Sequence, residues 1–319
     1  MRPAFILAVS LVASPAAGEF SLALPIDCVL DQTCHIQQFV DHDPTDQSSD
    51  FMCGSLTYDG HKGTDFALSS LAALTDNVAV LAAAPGRVVG VRDGMADVLQ
   101  TGPDAPDVSD RECGNGVVIR HDGGWETQYC HLAQGSVTVV QNQTVTAGQT
   151  LGMVGLSGQT QFPHLHLSLR KDGDVVDPFV PNGRVSCLEP VQDTLWQSAI
   201  PTPSGGLIAV GFADAVPAFD AIKAGTAHQS SVSSDTPLVI WGYAFGGQAG
   251  DILTLTIDGP GGNVITETVT LERTQAQLFR AVGRRAPNGG WSPGQYTGRV
   301  LHSRAGTVLD QQITETTVP

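Results

Sequence analysis

Short runs of alternating apolar and polar residues, broken by glycine and proline turns, set the pattern of this chain from residue 60 onward. DFAL reads as one strand, and VAVLAAAPGRVVGVRD as two strands broken at Pro85 and Gly86. GVVIR and WETQY flank a turn at 121–124 and read as a hairpin. SVTVVQNQTVTAGQTLGMVGLSG adds short strands with glycine turns, and HLHLSLR a last strand. No stretch here carries the period of an amphipathic helix of any length. The prediction is a compact, mostly antiparallel β-domain.

The stretch 181–206 ends in PTPSGG, which has the composition of a linker. Beyond it, PLVIWGYAF, DILTLTIDGPGGNVITETVTL, QLFRAVGR and GQYTGRVLHS alternate and turn at intervals that resemble an immunoglobulin-like β-sandwich. The expected class is therefore all-β, with two domains. Expected boundaries are a signal peptide at 1–18, a cysteine-containing extension at 19–57, a first domain at 58–190, a linker at 191–206 and a sandwich at 207–319.

A length of 319 residues suits two domains, each able to bury a core. A net charge of −16 argues against nucleic acid or an anionic membrane surface as partner, because both repel an acidic protein. The opening MRPAFILAVSLVASPAAGEF has a thin positive start at Arg2, an apolar stretch, and small residues at Ala16, Ala17 and Gly18, which reads as a secretory signal. That apolar stretch is too short to span a bilayer, so no membrane insertion is expected after cleavage. Six cysteines, none in a C-x-x-C pair, agree with export and oxidation. Cys113 and Cys130 flank the hairpin and are the expected disulfide; the other four allow three connectivities.

The candidate chemistry is carried by His61 and Asp65 in YDGHKGTDF, His131 in QYCHL, and His164 and His166 in FPHLHLSL. Imidazole and carboxylate are the side chains that hold zinc in an open, hydrolytic site. Strand residues two apart share a face, so His164 and His166 point one way while Leu165, Leu167 and Leu169 pack the other. Gly60 and Gly63 suggest that His61 sits on a turn, with Asp65 starting the next strand. Asp41, His42 and Asp43 read as a solvated turn, His35 as structural and His121 as an exposed turn residue. His228 and His302 are isolated and read as surface or structural residues. G-x-S-x-G, H-E-x-x-H and phosphate-binding glycine loops are absent from the sequence.

In this order and context, the strings GHKGTDF, GNGVVIRH, QYCHL, GQTLGMVGLSG, PHLHLSL and VVDPFV resemble the lysostaphin/LytM-type zinc endopeptidases over about residues 58–178. Those enzymes cut the peptide bridges of bacterial cell walls. The resemblance implies one zinc ion held by His61, Asp65 and His166, with His131 and His164 as non-ligand catalytic histidines. It implies an exported enzyme, periplasmic or extracellular, acting on peptidoglycan stem peptides or cross-links. Zinc lowers the pKa of a coordinated water to roughly 7, and a histidine near its ordinary 6.5 can take and return the proton or stabilise an oxyanion. Ligation needs neutral imidazoles and an ionised Asp65, so activity is expected to fall in acid. Relatives often have Phe-Glu after H-x-H, where this chain has Leu167 and Ser168. The alternatives are an inactive relative that activates another wall hydrolase, and a secreted protease for glycine-rich proteins. The segment before His61 is also a candidate cover for the groove in a latent form.

Overall fold

The computed structural model describes residues 19–102, 105–183 and 193–319; the expected signal peptide and Cys187 lie outside them. The first part contains β1 (Cys34–Gln38), β2 (Thr64–Leu68), β3 (Ala79–Leu81), β4 (Gly86–Arg92), β5 (Asn115–Arg120), β6 (Trp125–Leu132), β7 (Thr144–Val145), β8 (Thr150–Met153), β9 (His164–Lys171) and β10 (Asp174–Val175). The second contains β11 (Gly206–Ala213), β12 (Leu238–Gly247), β13 (Ile252–Gly259), β14 (Gly262–Thr270), β15 (Gln275–Arg284), β16 (Gly294–Arg304) and β17 (Thr307–Val318). An α-helix, Phe219–Ala224, and two short 3₁₀ turns are the helical elements among the described residues. The fold is all-β, as the alternation predicts.

One antiparallel sheet runs β1-β2-β9-β6-β5-β4-β7, with β10 paired to β9, and β3 and β8 pair separately. In β9 the alternation works as expected: Leu165, Leu167 and Leu169 are buried in the core beside Phe66, Val117, Ile119 and Tyr129. Full burial of a leucine side chain stabilises by about 1.5–3 kcal/mol, so turning the histidines inward instead would be strongly disfavoured. SVTVV forms no strand: Thr138 makes a single backbone bond to Leu151 there, and Val140 is exposed.

The second part packs a three-stranded sheet, β11-β12-β15, on a four-stranded sheet, β14-β13-β16-β17. Phe212, Ile240 and Leu278 from the first meet Leu255, Tyr296 and Val300 from the second in one core, which makes a β-sandwich. His302 is buried there, with Nε2 2.9 Å from Asp251 Oδ2, a structural role.

The two parts are closely joined. Trp196, inside the stretch read as linker, is buried against Phe66 and Phe179. His35 in β1 lies 4.6 Å, ring to ring, from Phe245 in β12. Gln37 Nε2 donates to the Ala276 carbonyl, and Gln277 Nε2 donates to Gln37 Oε1. Disulfides join Cys28 to Cys34 and, as expected, Cys113 to Cys130; Cys53 is disulfide-bonded too. No helix among the described residues is long and apolar enough to cross a membrane.

Candidate metal centre

Strand register brings the first pair together. Asp65 on β2 is the direct cross-strand partner of His166 on β9, and Ala67 is the partner of His164. Side chains opposite one another on antiparallel strands share a face, so Asp65, His164 and His166 all rise from one side of the sheet. The turn before β2 delivers His61 to the same place, and Gly63 lets it come close. A Cβ on Gly63 would lie 2.6 Å from His166 Cε1 and Nε2 and 2.6 Å from the Leu167 carbonyl oxygen.

His166 Nδ1 is 2.8 Å from Asp65 Oδ1; His61 Nε2 is 3.2 Å from His166 Nδ1 and 3.3 Å from Asp65 Oδ1. A tetrahedral zinc with bonds of about 2.0–2.1 Å needs its donor atoms about 3.3 Å apart. This triangle of two nitrogens and one carboxylate oxygen fits such an ion with little adjustment. His61 and Asp65 are buried, whereas the His166 side chain is 17% exposed, so solvent reaches the group from the His166 side.

The remaining ring nitrogens are tied back. His61 Nδ1 donates to the Phe39 carbonyl at 2.6 Å, which leaves the Nε2 lone pair facing the cluster. His166 Nε2 is 3.0 Å from Ser168 Oγ, which accepts its proton when Nδ1 is the ligating atom. Ser168 thus touches a candidate ligand.

His131 and His164 stand beside this triangle, with ring centroids 4.6 Å apart. His131 Nδ1 donates to the Ser157 carbonyl at 2.8 Å, and His164 Nδ1 to the Phe162 carbonyl at 2.9 Å. Carbonyls only accept, so in both rings Nε2 carries the free lone pair. His131 has φ of 63°, a left-handed conformation rare outside glycine and found where a site stores strain. Its neighbours impose it: Cys130 is bridged to Cys113, His131 N–H donates to the Cys113 carbonyl, and Gly155 N–H donates to the His131 carbonyl.

Electrostatics divide the group. Burial opposes ionisation of Asp65, but the charges of His61 and His164 and the hydrogen bond from His166 hold its carboxyl well below the usual range. Burial would lower His61, yet the charge of Asp65 and bonds to Asp65 and Phe39 raise it. Burial, then the neighbouring His164 and His166, push His131 well below its ordinary value. Burial also lowers His164, with Asp65 opposing. The carboxylate is thus ionised and the two tied-back imidazoles neutral at neutral pH, as proton acceptors require.

All five candidate residues therefore meet in one place. The other histidines do not join them. His121, expected to be exposed, is buried: its Nδ1 donates to the Pro85 carbonyl and its Nε2 lies 2.8 Å from Thr127 Oγ1. The hairpin turn folds back against β4, where Gly86 approaches the ring. His42 Nε2 sits 2.8 Å from Asp177 Oδ2 and is not part of the donor group. Sequence reasoning did not find the carbonyls of Phe39 and Ser157, because a backbone acceptor leaves no residue-type signal.

One face of the antiparallel β-sheet thus presents a His/Asp/His donor group with two further histidines beside it. Residues 59–178 match the model of peptidase family M23, and the chain carries a peptidase M23 domain. It is 42% identical over 65 residues to the DD-carboxypeptidase/endopeptidase Mpg of Neisseria meningitidis, covering 20% of this chain and 14% of that protein. It is 38% identical over 69 residues to the peptidoglycan DD-endopeptidase ShyA of Vibrio cholerae, covering 22% of this chain and 16% of that one. The chain thus spans about one-seventh of the length of these relatives. The catalytic domain of lysostaphin from Staphylococcus simulans aligns with 37% of this chain and 76% of its own, at 23% identity and a TM-score of 0.27.

Proposed function

We propose that this chain is an exported zinc-dependent endopeptidase that hydrolyses peptide bonds in peptidoglycan stem peptides or cross-links. The observation that carries the reading is the triangle of His61 Nε2, Asp65 Oδ1 and His166 Nδ1, with sides of 2.8 to 3.3 Å, beside two more oriented imidazoles. These three residues would hold the ion. Zinc, when bound, supplies Lewis acidity and a water with pKa near 7.

The chain's own groups do the rest. Asp65 supplies the negative charge that a dication needs, and its low pKa keeps that charge available well into acid. His131 and His164 each present an unprotonated Nε2, able to take a proton from the nucleophile and return it to the leaving amine. Once protonated, either ring can also donate to the oxyanion that develops on the scissile carbonyl. The two histidines share these tasks. The disulfides agree with an oxidising compartment, the periplasm or the exterior.

Digestion of defined muropeptides, read by mass spectrometry with and without a chelator, tests the proposal. Expected are peptide-bond products that vanish with chelator and return with added zinc. Stoichiometric zinc without cleavage of any wall fragment would favour an activator of another hydrolase. Cleavage confined to glycine-rich peptides would favour a protease of proteins.

A further inference from the structure

The support of His61 comes from outside the matched domain. β1 pairs with β2, and Gln38 is registered opposite Asp65. Directly after β1, the Phe39 carbonyl accepts both from His61 Nδ1 at 2.6 Å and from Thr57 Oγ1 at 2.9 Å. Two residues on, Asp41 grips the turn that carries His61. Its backbone N–H donates to the His61 carbonyl at 2.9 Å, and its Oδ2 accepts from Gly60 N–H at 2.9 Å. The other oxygen, Oδ1, accepts from Ser49 N–H at 3.0 Å and Asp43 N–H at 3.1 Å. The stretch read as a solvated acidic turn is therefore a clasp.

Phe39 itself is fully buried, edge-on to Phe51 and Phe179 at 5.2 Å each, so its carbonyl has little freedom to move. With that acceptor fixed, the position of the 58–61 turn decides whether the imidazole meets it. Gly60 has φ of 73°, which lets the turn bend back toward Asp41.

We infer that Asp41 is a positioning residue for the metal centre. Its carboxylate and backbone lock the turn so that His61 donates from Nδ1 to Phe39 and aims Nε2 at Asp65 and His166. The inference rests on the reading of His61 as a ligand and deepens it: residues 39–41 belong to the working unit. A removable cover would not hold a ligand's far nitrogen, so this role runs against latency.

The test uses the full chain and two readouts. Zinc affinity is measured by competition with a chromophoric chelator. The His61 tautomer is read in metal-free protein from long-range proton–nitrogen correlations of the imidazole, assigned by loss in His61→Ala. In the wild type, read in alkaline solution so that the ring is neutral, His61 is expected as one tautomer, protonated at Nδ1. Asp41→Ala is expected to mix the tautomers and to weaken zinc binding about tenfold, the lower end for loss of an outer partner of a ligand. Asp41→Asn keeps one carbonyl oxygen and is expected to lose less on both readouts. Asp46→Ala, an exposed neighbour, is expected to change neither. A folded Asp41→Ala with wild-type tautomer and affinity would overturn the inference. If Asp41→Ala does not fold, unchanged values in Asp41→Asn overturn it equally. A wild type that binds no zinc, yet whose His61 tautomer responds to Asp41→Ala, would defeat the zinc reading and support the positioning role.

Discussion

Asp65 and His166 are direct partners across β2 and β9, and their facing atoms stand 2.8 Å apart. The β-ladder itself sets this pair, because antiparallel registration puts both side chains on one face within reach. A one-residue slip would send His164 and His166 into the core and the leucines out to solvent, so burial of Leu165, Leu167 and Leu169 locks the pair's geometry. Asp65→Ala and His166→Ala are therefore expected to weaken zinc binding by more than the roughly 10–100-fold typical of losing an outer partner. Metal content after dialysis checks this; full occupancy in either variant would remove that residue from the ligand set.

His131→Ala is expected to keep zinc and lose turnover by about 10²–10⁴-fold, the usual worth of a positioned proton-transfer group. His131 is bonded to Ser157 and lies beside the triangle, with ring centroids 6.0 Å from His166. Metal content and cleavage rate measured on one preparation separate the two effects. Normal turnover would exclude His131 from the mechanism.

Gly63→Ala is expected to cost about 1–3 kcal/mol of stability and to displace His166. One of its two obstacles is a backbone oxygen, Leu167 O at 2.6 Å, which no rotamer change can relieve. Thermal unfolding together with zinc affinity checks it; a variant equal to the wild type in both would show that the turn has slack.

Stability is expected to fall as pH drops from 6.5 toward 4. Burial against the sandwich drives His35 down to about 4, with the Gln37 hydrogen bond opposing. Above pH 6.5 the ring is neutral in folded and unfolded chains alike. Below it the unfolded chain takes up a proton that the folded chain refuses, so unfolding is favoured. The interval corresponds to roughly 3 kcal/mol for His35; the lowered His131 and His164 act in the same direction, and the raised His61 acts against it. His35→Gln, which keeps a polar contact for Gln37, should lose part of that pH dependence in denaturant titrations. An unchanged slope would contradict it.

Much of this centre was legible in the residues. The His/Leu alternation of β9 placed two imidazoles above a packed core, and the glycines of GHKGTDF marked a turn entering a strand. The lack of helical periodicity and the two sets of alternating runs marked an all-β chain in two parts. What stayed hidden depends on contacts between distant segments. Asp41 reads as one more surface acid because its partners, Gly60 N–H and the His61 carbonyl, are backbone groups about twenty residues away. His121 reads as exposed because a hairpin turn usually is, but the approach of the Pro85–Gly86 segment and of Phe20 buries it. Trp196 reads as linker by its neighbours' composition, although its ring finishes the core beside Phe66. The left-handed backbone of His131 also has no sequence mark, since glycine is the residue that would announce it.

The most direct measurement is a crystal structure of the full chain loaded with one equivalent of zinc, with anomalous data collected across the zinc edge. The account predicts one strong peak about 2.0–2.2 Å from His61 Nε2, an Asp65 carboxylate oxygen and His166 Nδ1. A peak elsewhere, or none at full loading, would contradict it.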